Sequence, residues 1–253
     1  MIMRGSLGTR LLSLEDPYTK EFKAKILALS TTNGLNRLIL DRTAFHPEGG
    51  GQDSDVGEIR GPSGLAAVSS VIEVGGVVHH ICDRIEGLFK PGDPVIGKVE
   101  WGHRYGLMKN HTASHIIWAT LERELPKARI IGSHVSADKT RFDLEVERDE
   151  LKRSLPRIEL VARKIVEEDR PVKIEIVERD EAVSRLKSYG KSPLDLPKDA
   201  EWIRIVEIEG WDISACKGLH VRRTGELGSI RLLRRTSKGR NLDRVEFTAG
   251  LEG

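Results

Sequence analysis

Apolar positions change their spacing once along this chain. Between about residues 20 and 100, short runs rich in Val and Ile alternate with polar residues: FKAKILAL, NRLILDRTAF, DVGEIRG, LAAVSSVIEV, VVHHIC and DPVIGKVEW. They are broken by the turn formers NG, GPSG, GG and PGD, and helix signals are nearly absent. Closely spaced short strands with Gly/Pro punctuation predict a small barrel or sandwich.

Near Trp101 the spacing becomes helical. In HRYGLMKNHTASHIIWATLEREL the apolar positions Leu107, Met108, Ile116, Ile117, Ala119 and Leu121 fit a helix that Pro126 stops. ARIIGSHVSADKTRFDLEV reads as strands. RDELKRSLPRIELVARKIVEED reads as a charged helix with Leu151, Leu155, Ile158, Val161 and Ile165 on one side, kinked or begun at Pro156. PVKIEIVE is a strand, and RDEAVSRLKSYG a short helix closed by Gly190. WIRIVEIEGWDISAC and GSIRLLRRTSKGRNLDRVEFTAG read as strands again. The expectation is an α+β protein of two domains, a small N-terminal β-barrel over residues 1–100 and an α+β unit over 101–253.

Composition narrows the class. Apolar residues make up 38% and charged residues 32% of the 253 positions, so a core is attainable under a densely charged surface. Dense charge with few amides, Gln52 being the one glutamine, fits a heat-tolerant source. The net charge of +2 announces no polyanionic partner by itself. Between His220 and Val245, however, eight Lys or Arg face only Glu226 and Asp243, enough excess to hold several phosphates or to make a solvated strand face. Two cysteines, Cys82 and Cys216, make no disulfide framework. The N-terminal stretch has no sustained apolar segment, and no run approaches the roughly 18–20 residues of a membrane span. A soluble, cytoplasmic protein is expected.

Candidate chemistry concentrates in two short segments. In KNHTASHIIWATLEREL, His111 and His115 stand four apart, on one helix face with Cβ atoms about 5–6 Å apart. In CKGLH, Cys216 and His220 are also four apart, with Gly218 between them to ease a turn. One thiolate and three imidazoles form a donor set suited to one Zn²⁺. VVHHIC, by contrast, alternates as a strand and splits His79, His80 and Cys82 between faces, so it is no second metal site. His103 and His134 read as structural or exposed.

Taken in order, these motifs identify a family. NHTASHIIWAT resembles the HTAxH helix of the alanyl-tRNA editing domain, and GWDISACKGLHV its Asp-then-CxGTHV segment. RRTGELGSIRLL resembles the strand that follows, and IGSHVSADKTRFDLEV the strand pair between the metal motifs. DRTAFHPEGGGQDSDVG resembles the Gly-Gly-Gly-Gln signature of the barrel preceding that domain. The resemblance covers nearly the whole chain, and its length matches the free-standing AlaX editing proteins of medium length rather than a synthetase. Two departures stand out: Lys217-Gly218-Leu219 where the family has Gly-Gly-Thr, and His46 where it has tyrosine.

The resemblance implies hydrolysis of the ester joining a wrong amino acid to tRNA(Ala), with serine expected and glycine second. It implies Zn²⁺ on His111, His115, Cys216 and His220; no catalytic residue is assigned, and two roles stay open, a zinc-bound water after His220 or His115 loosens, or a zinc that positions the amino acid's amine while another group handles water. Gly50, Gly51 and Gln52 are expected to contact the terminal ribose, base or amide, because Asp53 and Asp55 would repel phosphate. Ser133, with Ser136 beside it, is the candidate for the substrate hydroxyl. Arg104, Arg222 and Arg223 are candidates for phosphates near the CCA end. Three other readings stay open: a zinc-stapled tRNA-binding module without catalysis, an editor of threonyl-type tRNA, and a small-ester metallohydrolase.

Overall fold

The computed structural model describes residues 8–32, 34–194 and 196–250. The N-terminal residues 1–7 and Asn33 of the NG turn lie outside the described residues. The chain divides into two compact units, Met1–Tyr105 and Gly106–Gly253.

In the first unit, β1 (Arg10–Leu11), α1 (Leu12–Glu15) and β4 (Arg42–Thr43) flank a closed barrel. Its strands are β2 (Glu21–Thr32), β3 (Leu35–Leu40), β5 (Gly57–Gly61), β6 (Gly64–Val74), β7 (Val77–Gly87) and β8 (Pro94–Val99). They close in the order β2-β3-β7-β6-β5-β8, every pair antiparallel. The alternation read from the sequence is the inside–outside alternation of the wall: along β8, Val95, Gly97 and Val99 are buried while their neighbours are exposed. A Cβ on Gly97 would lie 2.3 Å from the Phe22 ring, so the glycine lets that ring fill the interior. Leu38, Leu40, Phe45, Ile59 and Val71 complete the filling.

Among the described residues of the second unit, two antiparallel sheets share the chain with three helices; together with the closed six-stranded barrel of the first unit this makes the protein α+β. The larger sheet has the order β14 (Ile230–Gly239), β15 (Leu242–Ala249), β10 (Thr140–Glu145), β9 (Arg129–Val135). The smaller has the order β11 (Val172–Glu178), β12 (Trp202–Ile208), β13 (Asp212–Ala215). The helices are α2 (Trp101–Glu124), α3 (Arg148–Glu167) and α4 (Arg179–Ser188), with a 3-10 turn at Thr224–Leu227.

The helix α3 begins where Glu147 accepts from the amides of Asp149 and Glu150. It buries Leu151, Ile158, Ala162, Ile165 and Val166. It runs unbroken through Pro156, which neither starts it nor ends it. Gly190 closes α4 in a left-handed conformation, with the Lys191 amide donating back to Leu186. From Asn110 to Ile117 every residue of α2 is buried, so its polar side chains are interior groups that need partners. Among the described residues, no helix is long and apolar enough to cross a membrane.

Candidate metal centre

Two local structures bring the four donors together. Helical spacing on α2 stacks His111 and His115, with ring centroids 5.5 Å apart. The hairpin β12–β13 delivers the second pair. The Cys216 amide donates to the Arg204 carbonyl at 3.1 Å, and an Arg204 guanidinium nitrogen donates to the Cys216 carbonyl at 2.5 Å. The chain then turns over Gly218, whose amide donates to Cys216 Sγ at 3.4 Å, and buries Leu219, His220 and Val221.

Cys216 Sγ stands 3.5 Å from His111 Nε2 and 3.4 Å from His220 Nε2. The His220 ring centroid lies 4.4 Å from that of His111 and 4.7 Å from that of His115. One ligand atom from each of the four residues lies within 4.8 Å of all the others, and the group could hold a metal ion. His111, His115 and His220 are buried, and Cys216 is half-buried.

The outward ring nitrogens are tied down. Asp212 Oδ2 accepts from His115 Nδ1 at 3.0 Å. The Thr112 hydroxyl donates to the Met108 carbonyl at 3.0 Å, so at 3.1 Å it accepts from His220 Nδ1. Each bond holds Nδ1 outward and leaves Nε2 facing the cluster. The Val221 amide also donates to Thr112 Oγ1, fastening the turn to the helix. Farther along α2, the Arg123 guanidinium lies 4.1 Å from the Trp211 ring centroid and donates to the Trp211 carbonyl, clamping the hairpin end beside Asp212. Lys191 Nζ lies 2.9 Å from Asp212 Oδ1 and also meets Glu122.

The electrostatics follow. Burial opposes ionisation of Cys216, but the facing His111, His115 and His220 hold its thiol well below the ordinary range. Burial likewise works against a charge on His115, yet Asp212 and Cys216 raise it to about 10. Burial and the nearby His111 drive His220 well down.

The other expected residues lie in several settings. Gly50 and Gly51, with φ of +60° and +82°, form a two-residue turn closed by paired bonds between Gly49 and Gln52. Gln52 is buried in the first unit. Ser133 is exposed on β9 opposite Phe142, on the sheet face that Phe142 turns toward Trp118 of α2. The neighbouring Ser136–Ala137 turn is held by Asn110, adjacent to His111. Arg222 is exposed, its amide bonded to Glu226. Arg223 is exposed but paired with Asp169 at 2.7 Å.

Arg104 is a correction. It is fully buried and donates to Asp55 Oδ1 at 2.7 Å and to the carbonyls of Pro17 and Ala44 at 2.8 and 2.5 Å. No phosphate reaches it. Asp55 is therefore a neutralised interior group, not a charge that would repel phosphate. The sequence reading passed over Thr112 and Asp212 as functional side chains; the signal available was that each falls inside a recognised motif.

Residues 12–103 match the family described as tRNA synthetases class II (A), and residues 203–246 the threonyl and alanyl tRNA synthetase second additional domain. The chain is 36% identical over 98% of its length to an alanine–tRNA ligase of Ignicoccus hospitalis, and 38% identical over 96% to that of Methanopyrus kandleri. It spans 26% of each of those two proteins. It is 34% identical over 95% of its length to the alanyl-tRNA editing protein AlaX-M of Methanosarcina acetivorans, of which it covers 98%. The chain belongs to the family of the alanyl-tRNA editing protein AlaX-M.

Proposed function

We propose that this protein edits tRNA(Ala) in the cytoplasm, hydrolysing the ester that joins a wrong amino acid, serine first and glycine second, to the 3′ end. The observation that carries the reading is the convergence of His111, His115, Cys216 and His220 within 4.8 Å. Zinc bonds of about 2.3 Å to sulfur and about 2.0 Å to nitrogen imply tetrahedral S-to-N edges of about 3.5 Å. The 3.5 and 3.4 Å sulfur–nitrogen distances fit that size. When bound, Zn²⁺ supplies a Lewis acid that polarises a carbonyl or lowers the pKa of a water.

The protein's own groups hold and orient. Asp212 and Thr112 keep the Nε2 atoms of His115 and His220 aimed inward. In this reading Gly50, Gly51 and Gln52 contact the terminal adenosine and Ser133 the substrate hydroxyl. Arg222 and Arg223 meet phosphates, Arg223 by exchanging Asp169 for one. Leu219 is buried and carries no hydroxyl, so in this reading discrimination falls to groups other than a hydroxyl at that position.

The test is release of free amino acid from seryl-, glycyl-, alanyl- and threonyl-tRNA by purified protein, with chelator and after zinc is restored. Serine release from seryl-tRNA(Ala), abolished by chelator and by His111→Ala, is expected. Binding without release would leave a zinc-stapled tRNA-binding module, and preference for threonyl-type substrates would reassign the editor.

A further inference from the structure

The larger sheet of the second unit has one covered face and one open face. Phe142, Leu144, Val245, Phe247 and Ile230 point to the covered side, where Trp118 of α2 and Arg163 of α3 meet it. Strand alternation and register place a different set outside. Arg234 of β14, Glu246 of β15 and Arg141 of β10 form one row across the strands. Thr236, Arg244 and Asp143 form the next. Arg231 lies opposite Thr248, and Lys238 is close enough to act on Asp143.

Each carboxylate on this face is already engaged. Asp143 accepts twice from Arg244 at 2.7 and 2.8 Å, Glu246 meets Lys139 at 2.6 Å, and Glu145 meets Arg129 at 3.4 Å. Arg141, Arg231, Arg234 and Lys238 are all exposed, and those that act on Asp143 or Glu246 do so from beyond ion-pair distance. Among the described residues no carboxylate stands in ion-pair contact with any of the four. Three come from the basic run near the C-terminus; of its five other members, Arg223, Arg235 and Arg244 are paired with Asp169, Asp243 and Asp143. Arg141 joins the patch only because β10 lies next to β15.

We propose that this open face holds the phosphodiester backbone of the tRNA whose acylated end reaches the metal centre, and this rests on the functional reading above. From Arg231 to Arg234 is about 10 Å along the strand and to Lys238 about 13 Å more, while Arg141 lies about 10 Å across the sheet. Such a spread of cations reads backbone rather than bases. A second copy of the chain is disfavoured as occupant, because a twofold contact would set like charges opposite one another.

The test is fluorescence anisotropy with a labelled tRNA(Ala) transcript across a salt series. It uses the parent, a fourfold variant (Arg141→Gln, Arg231→Gln, Arg234→Gln, Lys238→Gln), and a control (Lys23→Gln, Lys25→Gln, Arg60→Gln, Arg84→Gln). The control removes as many exposed cations from the barrel. At fixed salt the fourfold variant should bind about tenfold or more weakly, and its log–log salt slope should fall by about 3 to 4. Its zinc content and unfolding temperature should match the parent. Equal affinity in the fourfold variant, equal loss in the control, or a changed oligomeric state in place of weakened binding would each overturn the proposal. If the parent binds the transcript through these residues but releases no amino acid, the editing reading falls and the surface stands. If the parent deacylates while the fourfold variant binds RNA unchanged, the surface alone falls.

Discussion

Two sets of buried polar groups lie in this chain, one in each unit, and their chemistry points opposite ways. In the barrel unit the partners complement one another. Arg104 supplies donors, while Asp55 and two carbonyls accept. His80 is satisfied at both nitrogens, Nδ1 donating to the Leu38 carbonyl at 2.9 Å and Nε2 accepting from Thr43 at 2.8 Å. In the second unit His115 and His220 are anchored at Nδ1 by Asp212 and Thr112, and their Nε2 atoms converge with the Cys216 sulfur and His111. Donors that meet acceptors make structure. Ligand atoms that all face one point need a shared cation there, a proton when no metal is bound or a metal ion in its place. Burial alone did not separate the two sets; hydrogen-bond polarity did.

Breaking the complementary set should cost most. Arg104→Met leaves Asp55 buried without its counter-charge and is expected to lower unfolding free energy by about 3–5 kcal/mol in denaturant melts, with metal bound per folded chain unchanged. Next comes His80. Burial depresses it to about 4, below an unfolded value of about 6.5, so the native state excludes a proton that the unfolded chain accepts. Its contribution is whole above pH 6.5, shrinks as pH falls toward 4, and amounts to about 3 kcal/mol in total. Denaturant midpoints across that window should show the slope in the parent and not in His80→Gln.

The convergent set should respond to metal instead. Free Zn²⁺ at 100 times its Kd should stabilise the parent by about 2.7 kcal/mol and leave Cys216→Ala unmoved, as read by melting with and without the ion. The smallest effect sharpens the comparison at one atom. Asp212→Asn keeps the shape but weakens the anchor on His115 Nδ1. Zinc affinity measured against a chromophoric chelator should drop about 10- to 100-fold, about 1.4–2.7 kcal/mol. An unchanged affinity would make Asp212 a packing residue only.

Legibility in the sequence followed the range of the interaction. The barrel strands were readable because inside–outside alternation has period two. The two ligand pairs were readable because each spans four residues and needs no distant partner to be seen. Arg104 was misread because an arginine in the first turn of a helix looks the same whether it faces solvent or Asp55, 49 positions earlier. Arg141 escaped the basic run for a similar reason, since only the pairing of β10 with β15 adds it to that surface. The helix α2 carries polar residues on every side over its middle turns, so its periodicity said little about which of them were interior.

By itself the sequence determined the succession of barrel and α+β unit, the spacing of His111 with His115 and of Cys216 with His220, and the family those motifs mark. Those features are local, written in alternation, turn formers and helical repeat. Tertiary structure alone decided that Asp212 and Thr112 orient the ligand pairs, that Arg104 is interior, and which cations stand clear of ion-pair contact on the open sheet. Each of these depends on groups tens to a hundred positions apart, whose partners are chosen by packing and by the requirement that buried polar atoms be satisfied.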